Sequence, residues 1–347
     1  MPRLLPFLFL LPTLLCTAAA HGQDKPPKIF SDESVYEVRI EAPWSAIARQ
    51  KERERSWEGR FRYSDRDGRA IDIPVTITTR GLTRLRVCDF PPLRLDFDKE
   101  AAKGTAFRGA GNLKMVTHCF RGSKFEQYYV KEYLSYRMYN RITERSYRVQ
   151  GLDVSYAKDA DDKRPLERFA FLVEDPDDVA KRNGLQKLDI DETVPSELDP
   201  RETARFTLFQ YLIANLDWSA LGGPKPRCCH NARLIGTAPG QPPYIPIPYD
   251  LDSSGLVDAH YAAPPEGVRA RNVRQRIYRG FCAHNDELPA VLDEFRALRP
   301  EFEALFENES RLDARPRGDA LRFIGQFYGT LEDPGDVQRL LIDNCRG

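Results

Sequence analysis

The sequence predicts an α+β chain of two lobes, a β-rich N-terminal half and a mainly helical C-terminal half. Three observations point there. Trp57–Tyr63 and Ala70–Thr79 alternate apolar and polar residues, the period-two pattern of half-buried strands. From Pro200 onward helical segments dominate. Three polar clusters, Asn215/Asp217, His230/Asn231 and Asp250/Asp252, stand at the ends of apolar segments where the helical half begins. Strands followed by helices is the order of an α+β fold.

The elements follow in chain order. Gln23–Ser34, with Pro26-Pro27, reads as an extended lead-in, Tyr36–Ile40 as a strand and Pro43–Glu54 as a short helix. Asp67-Gly68 joins two strands as a hairpin turn. Pro92–Phe97 and Leu113–Val116, which contains Lys114, are further strands. Between them Lys103–Asn112 is a small-residue loop. A flexible connector is its plainer reading, although its glycines could bring backbone N–H groups to a phosphate. Aromatic and apolar residues in Ser123–Ile142 are spaced as an amphipathic helix. Arg148–Tyr156 and Arg168–Val173 are strands, and Glu174-Asp175 leads into a helix over Asp178–Arg182 stopped by Gly184. Arg201–Ala214 is a helix capped by Asp199 and Pro200, and Tyr244–Tyr249 is a short strand. Helices are expected over Val268–Arg279, Leu288–Phe306, Asp319–Tyr328 and Asp336–Asn344.

Composition bounds the setting. The 347 residues carry a net charge of zero, so no global field favours nucleic acid or an anionic membrane. Met1–Ala20 has an early Arg3, a Leu/Phe-rich stretch and Thr17-Ala-Ala-Ala20, the pattern of a secretory signal peptide. Its apolar run is short and broken by Pro6 and Pro12, so it is not read as a membrane span. Residues 1–20 are therefore expected to be removed, leaving a β-rich lobe over 21–176 and a helical lobe over 177–347. The chain is expected to be exported, periplasmic or secreted, with no stable membrane insertion. Six cysteines remain: Cys88, Cys119, Cys228, Cys229, Cys282 and Cys345. An even number in an exported chain favours disulfides. The expected pairing is Cys88 with Cys119, and the vicinal Cys228 and Cys229 with Cys282 and Cys345. Zinc on Cys228, Cys229 and His230 fits badly, because structural zinc sites space their paired ligands.

The polar clusters carry the chemistry. Carboxylates and an amide at the ends of apolar elements can converge on one cleft, as a magnesium–nucleotide site requires. The order Asn-x-Asp, then His-Asn, then a strand ending in Asp-x-Asp resembles the spore-coat-protein-H (CotH) kinases. More distantly it is similar to HipA-like and eukaryotic protein kinases. The resemblance implies an atypical kinase-like fold in two lobes, with Asp217 as the catalytic acid that accepts a hydroxyl proton. It implies Asn231 and Asp250, helped by Asp252, as ligands of Mg²⁺ or Mn²⁺, and ATP as co-substrate. Lys114 or Arg94 would contact phosphate from the β-rich half, paired with Glu126 or Glu132 of the following helix. The strand end near Glu174 would face the adenine. One departure stands out. The family places the Asn about half a dozen residues after the Asp, whereas here Asn231 follows Asp217 by fourteen.

Arg276 and Arg279, at helical spacing in an arginine-rich stretch, are expected to bind an anionic substrate. The function expected is transfer of a phosphoryl or nucleotidyl group to a protein or small-molecule hydroxyl. The alternative is a non-catalytic, pseudokinase-like binding protein of the envelope or exterior, which the long insert favours. A metal-dependent phosphoesterase would need a second carboxylate or histidine cluster, and none has good spacing.

Overall fold

A computed structural model of the chain describes residues 27–31, 33–223 and 228–347. The expected signal peptide and the middle of the insert after Asp217 lie outside the described residues. Seven strands form the first half: β1 (Tyr36–Glu41), β2 (Ser56–Ser64), β3 (Ala70–Thr79), β4 (Leu93–Phe97), β5 (Asn112–Val116), β6 (Val149–Ala157) and β7 (Leu166–Val173). They close into a barrel in the order β1-β2-β3-β4-β5-β7-β6. Neighbours run antiparallel except at the seam, where β1 lies parallel to β6 with Val38 opposite Val154. The alternation read from the sequence is the inside–outside alternation of this wall. Phe61, Ile73, Leu95 and Leu172 fill the interior, each fully buried. At Gly59 the wall allows no side chain, because an added Cβ would stand 2.9 Å from the Glu41 carbonyl oxygen.

Helices α1 (Trp44–Arg49), α2 (Thr83–Val87) and α3 (Glu126–Ile142) punctuate the barrel, and α4 (Pro176–Arg182) follows it. A second sheet has the order β10-β9-β8, from β8 (Gln186–Leu188), β9 (Ala232–Gly236) and β10 (Ile245–Pro248). It accompanies α5 (Pro200–Leu212), α6 (Leu288–Glu307) and α7 (Ala314–Glu332). Asp199 caps α5 by accepting the Glu202 N–H at 2.8 Å, and Asp175 caps α4 through the Asp177 N–H at 2.9 Å.

The kinase-like fold of two lobes expected from the sequence is not what is seen. A closed mixed barrel replaces the β-rich lobe, and one apolar core runs from Val116 on β5 through α3, α5, α6 and α7 to Leu341. The reason is α3. Instead of showing one apolar stripe, it is buried nearly all round, Gln127, Lys131, Glu132 and Arg137 included. It lies between β7, through Phe169 and Phe171, and α6, and so joins the two halves.

Two further expectations are corrected. Val268–Arg279 is irregular. Pro264, Pro265 and Gly267 precede it, and Arg274, Arg276 and Arg279 anchor carbonyls and acids of other elements rather than lining a helix face. Among the cysteines, Cys88 lies against Cys119 (Cα–Cα 4.6 Å) as expected. Cys282 instead pairs with Cys345 (4.9 Å), and Cys228 with its neighbour Cys229. Three cysteine pairs at disulfide distance fit an oxidising compartment. Among the described residues no helix is long and apolar enough to cross a membrane.

Candidate functional site

The three polar clusters meet at one cleft, and each sits on an unusual backbone. Ala214, Asn231 and Asp250 have φ of +50°, +45° and +60°, the left-handed region that non-glycine residues adopt only when their surroundings hold them there. Buried α5 ends at Leu212, and Asn215 caps the turn that follows, accepting the Asp217 N–H at 3.0 Å. The loop after Asp252 is clamped onto this turn by Gly255 N–H to the Ala214 carbonyl (3.1 Å). Gly255 is required there, since a Cβ would fall 2.5 Å from the Val273 carbonyl oxygen.

Asp217 is held by both halves of the second cluster. Ser219 and His230 exchange backbone hydrogen bonds, and this brings His230 Nε2 to 2.7 Å from Asp217 Oδ1. Asn231 Nδ2 donates to Asp217 Oδ2 at 3.0 Å and to its carbonyl at 2.8 Å. The hydrogen bond to Asp217 raises the His230 pKa above the ordinary imidazole value, against the effect of burial. Asn231 also links this acid to the next, because its own carbonyl accepts the Tyr249 N–H at 3.1 Å. Asp250 follows, with its N–H on the Tyr136 hydroxyl at 2.9 Å. Asp217 and Asp250 both act on the His230 ring. The fourteen-residue spacing is thus a bulge that returns Asn231 to Asp217, with β9 beginning directly after it.

Asp250 faces a cation group. Lys114 Nζ, on β5, lies 3.1 Å from Asp250 Oδ1 and 4.0 Å from the Tyr249 ring centroid. Arg80 Nη2 donates to the Tyr249 hydroxyl at 3.0 Å. Burial alone would push the Asp250 carboxyl up, but Lys114 and then Arg80 outweigh it and hold it below the ordinary carboxylate range. Burial likewise opposes the Lys114 ammonium, and Asp250 more than restores it. Asp252 differs. Burial, then the charge of Asp250, raises its pKa, and its Oδ2 accepts the Tyr261 hydroxyl at 2.9 Å. A cavity of about 400 Å³ opens beside this group, lined by Arg80, Arg94, Lys114, Glu174, Asp175 and Tyr249.

The remaining expected residues divide. Arg94 stands opposite Lys114 in the β4–β5 pairing, ion-paired to Glu54 at 2.7 Å. Glu126 accepts the Phe169 N–H at 3.1 Å. The glutamate beside Lys114 and Asp252 is Glu132, one turn and a half further along α3. Burial, then Asp252, pushes its carboxyl up to about 8. Glu174 lines the cavity, but its carboxylate is committed to Arg182 (3.0 Å) and the Arg148 N–H (3.0 Å). Arg276 and Arg279 do not reach the cavity. Arg276 donates to the Leu212 carbonyl at 3.2 Å and the Phe323 carbonyl at 2.6 Å, and Arg279 donates to the Leu216 carbonyl. They brace α5 and the Asp217 turn from behind. Among the described residues no group of three His, Cys, Asp or Glu is arranged to hold a metal ion. Arg80, Arg84, Tyr136 and Tyr249 are site residues that sequence reasoning missed. Arg84 sits on the five-residue α2, donates to the Thr117 carbonyl at 2.6 Å and lies 4.0 Å from Glu132.

No protein-family model matches the chain, and no curated protein is significantly similar to it.

Proposed function

We propose that the cleft binds a nucleoside triphosphate as its magnesium complex and transfers a phosphoryl group to a hydroxyl. The observation that carries this reading is the ion pair of Lys114 with Asp250, at the edge of a cavity with Arg80 and Arg94 in its wall and Asp217 close by. Phosphoryl transfer asks a protein chiefly for positioning and charge neutralisation, and these residues supply both. Lys114 and Arg80 hold phosphate oxygens, and Arg94 adds a cation at the rim. Asp217, fixed from two sides by His230 and Asn231, is placed to accept the proton of the attacking hydroxyl. Glu132, neutral at pH 7, keeps a second negative charge away from the phosphates.

The donor set fits magnesium. The ion is usually held by one or two carboxylates together with substrate phosphates, so a three-acid cluster is not needed. The Asp250 side chain is 40% exposed. Asp250 and the amide oxygen of Asn231 would hold the ion, and Asp252 would support Asp250. Bound there, the ion would neutralise phosphate charge. A signal peptide over residues 1–20 and the three cysteine pairs support export to the periplasm or exterior.

A second reading rests on one observation: Lys114 and Asp250 already satisfy each other. On that reading the protein binds an anionic ligand without turning it over.

The test is ATP binding by the mature protein, with and without magnesium. The expected result is magnesium-dependent binding that is lost in Asp250→Ala and kept in Asp217→Asn. In Asp217→Asn, nucleotide turnover falls about 10²–10⁴-fold. Binding without turnover in the parent protein would establish the second reading. No binding at all would sink both.

A further inference from the structure

The glycine loop read from the sequence as a possible phosphate cradle takes no part in the cleft. It lines a different and larger cavity, of about 560 Å³, on the barrel. Lys28, Arg66, Arg69 and Arg108 face this cavity with Asp65 and Asp67. Four cations against two carboxylates leave the lining net positive. Asp65 is absorbed in the hairpin turn, accepting the N–H groups of Asp67 (3.1 Å) and Arg69 (2.8 Å) and the Arg69 guanidinium (3.0 Å). Arg108 is exposed, and no carboxylate among the described residues pairs with it. The loop turns at Gly104, whose φ is +74° and whose carbonyl accepts from the Arg69 guanidinium at 3.5 Å.

The opposite wall is aromatic. Tyr36 and Tyr63 meet edge to face at 5.7 Å, with Phe107 packed against both. The Tyr63 side chain is 5% exposed, and its hydroxyl lies within hydrogen-bonding reach of Thr105 and Ala106.

We infer that this pocket binds a small molecule carrying a phosphate group, with the phosphate against Arg108 and Lys28 and an apolar portion against Tyr36 and Tyr63. The site is independent of the proposed phosphotransfer, because the two cavities share no lining residue. Calorimetric titration with phenyl phosphate and with inorganic phosphate tests it. Saturable binding is expected, tighter for phenyl phosphate. The double variant Lys28→Ala/Arg108→Ala weakens it by at least about tenfold, and Lys114→Met leaves it unchanged. Both substituted side chains are exposed, so the variant keeps its fold. The inference is overturned if the double variant binds as well as the parent, if Lys114→Met abolishes binding, or if no saturable binding is seen. Equal affinity for the two probes removes the aromatic wall from the site and overturns that half of the inference.

Discussion

On the outer wall of the barrel Arg60 and Arg62 close on Asp72 at 2.8 and 3.0 Å, and Arg62 also reaches Glu41 at 2.5 Å. In the cleft Lys114 closes on Asp250 at 3.1 Å, with Arg84, Glu132 and Asp252 around them. The distances are alike and the settings are not. The Arg60, Arg62 and Asp72 side chains are 37–47% exposed, whereas those of Lys114, Arg84 and Glu132 are 10%, 10% and 2% exposed, and within the cleft group Asp250 is 40% exposed. Water screens the first group, so its ion pairs add little. Burial leaves the second group to act on one another, and the same residue types emerge with Glu132 neutral and Asp250 firmly ionised. Exposure, more than pairing, separates a group able to do chemistry from one that keeps a surface soluble.

The largest way to break this contrast is to loosen the frame under the cleft. Cys88 follows α2, which carries Arg84, and Cys119 follows Thr117, whose carbonyl takes the Arg84 guanidinium. The bridge closes a loop of 31 residues, a length at which a disulfide contributes about 4 kcal/mol. Cys88→Ser/Cys119→Ser should lower unfolding stability in urea by that amount and weaken nucleotide binding in the cleft, leaving the outer ladder as it is. A double variant as stable as the parent would show that the bridge does not frame the site.

How much of this could be read beforehand follows from the range of the forces. The strands Ser56–Ser64 and Ala70–Thr79 were legible because they alternate locally over most of their length. Closure was not, because it depends on Val38 meeting Val154 across the chain, and no local pattern encodes that pairing. Asp217, Asn231 and Asp250 were legible as polar residues ending apolar runs. Arg84 was not, since a five-residue helix shows no period. Val268–Arg279 misled because arginine spacing suits a helix, while Arg276 is bound to carbonyls of α5 and α7.

The next effect concerns protons. Burial, then Asp252, raises the Glu132 carboxyl from near 4.5 when unfolded to about 8 when folded. Between those values the folded state holds a proton that the unfolded state has released. Stability therefore falls as pH rises through that window. Glu132→Gln should remove this slope and raise stability at pH 7 by about 3 kcal/mol. Urea titrations at pH 5 and pH 8 check it. A parent protein equally stable at both values would mean that Glu132 is ionised when folded, and the cleft would then carry one more negative charge than proposed.

The smallest effect completes the comparison from the other side. The hydrogen bond from Arg60, opposed by slight burial, lowers the Asp72 pKa below its ordinary 3.8. A carboxylate lowered on folding contributes stability above its unfolded pKa and loses it as pH falls through the folded value. That contribution is small, because the pair is more than a third exposed and screened by solvent and salt. Asp72→Ala should cost less than about 1 kcal/mol at pH 7, and the cost should shrink further in 1 M salt. Arg60 and Arg62 then turn to water without leaving a buried charge behind. A loss as large as that from opening the Cys88–Cys119 bridge would mean that the outer ladder holds the barrel shut, and exposure would no longer distinguish the two groups of charges.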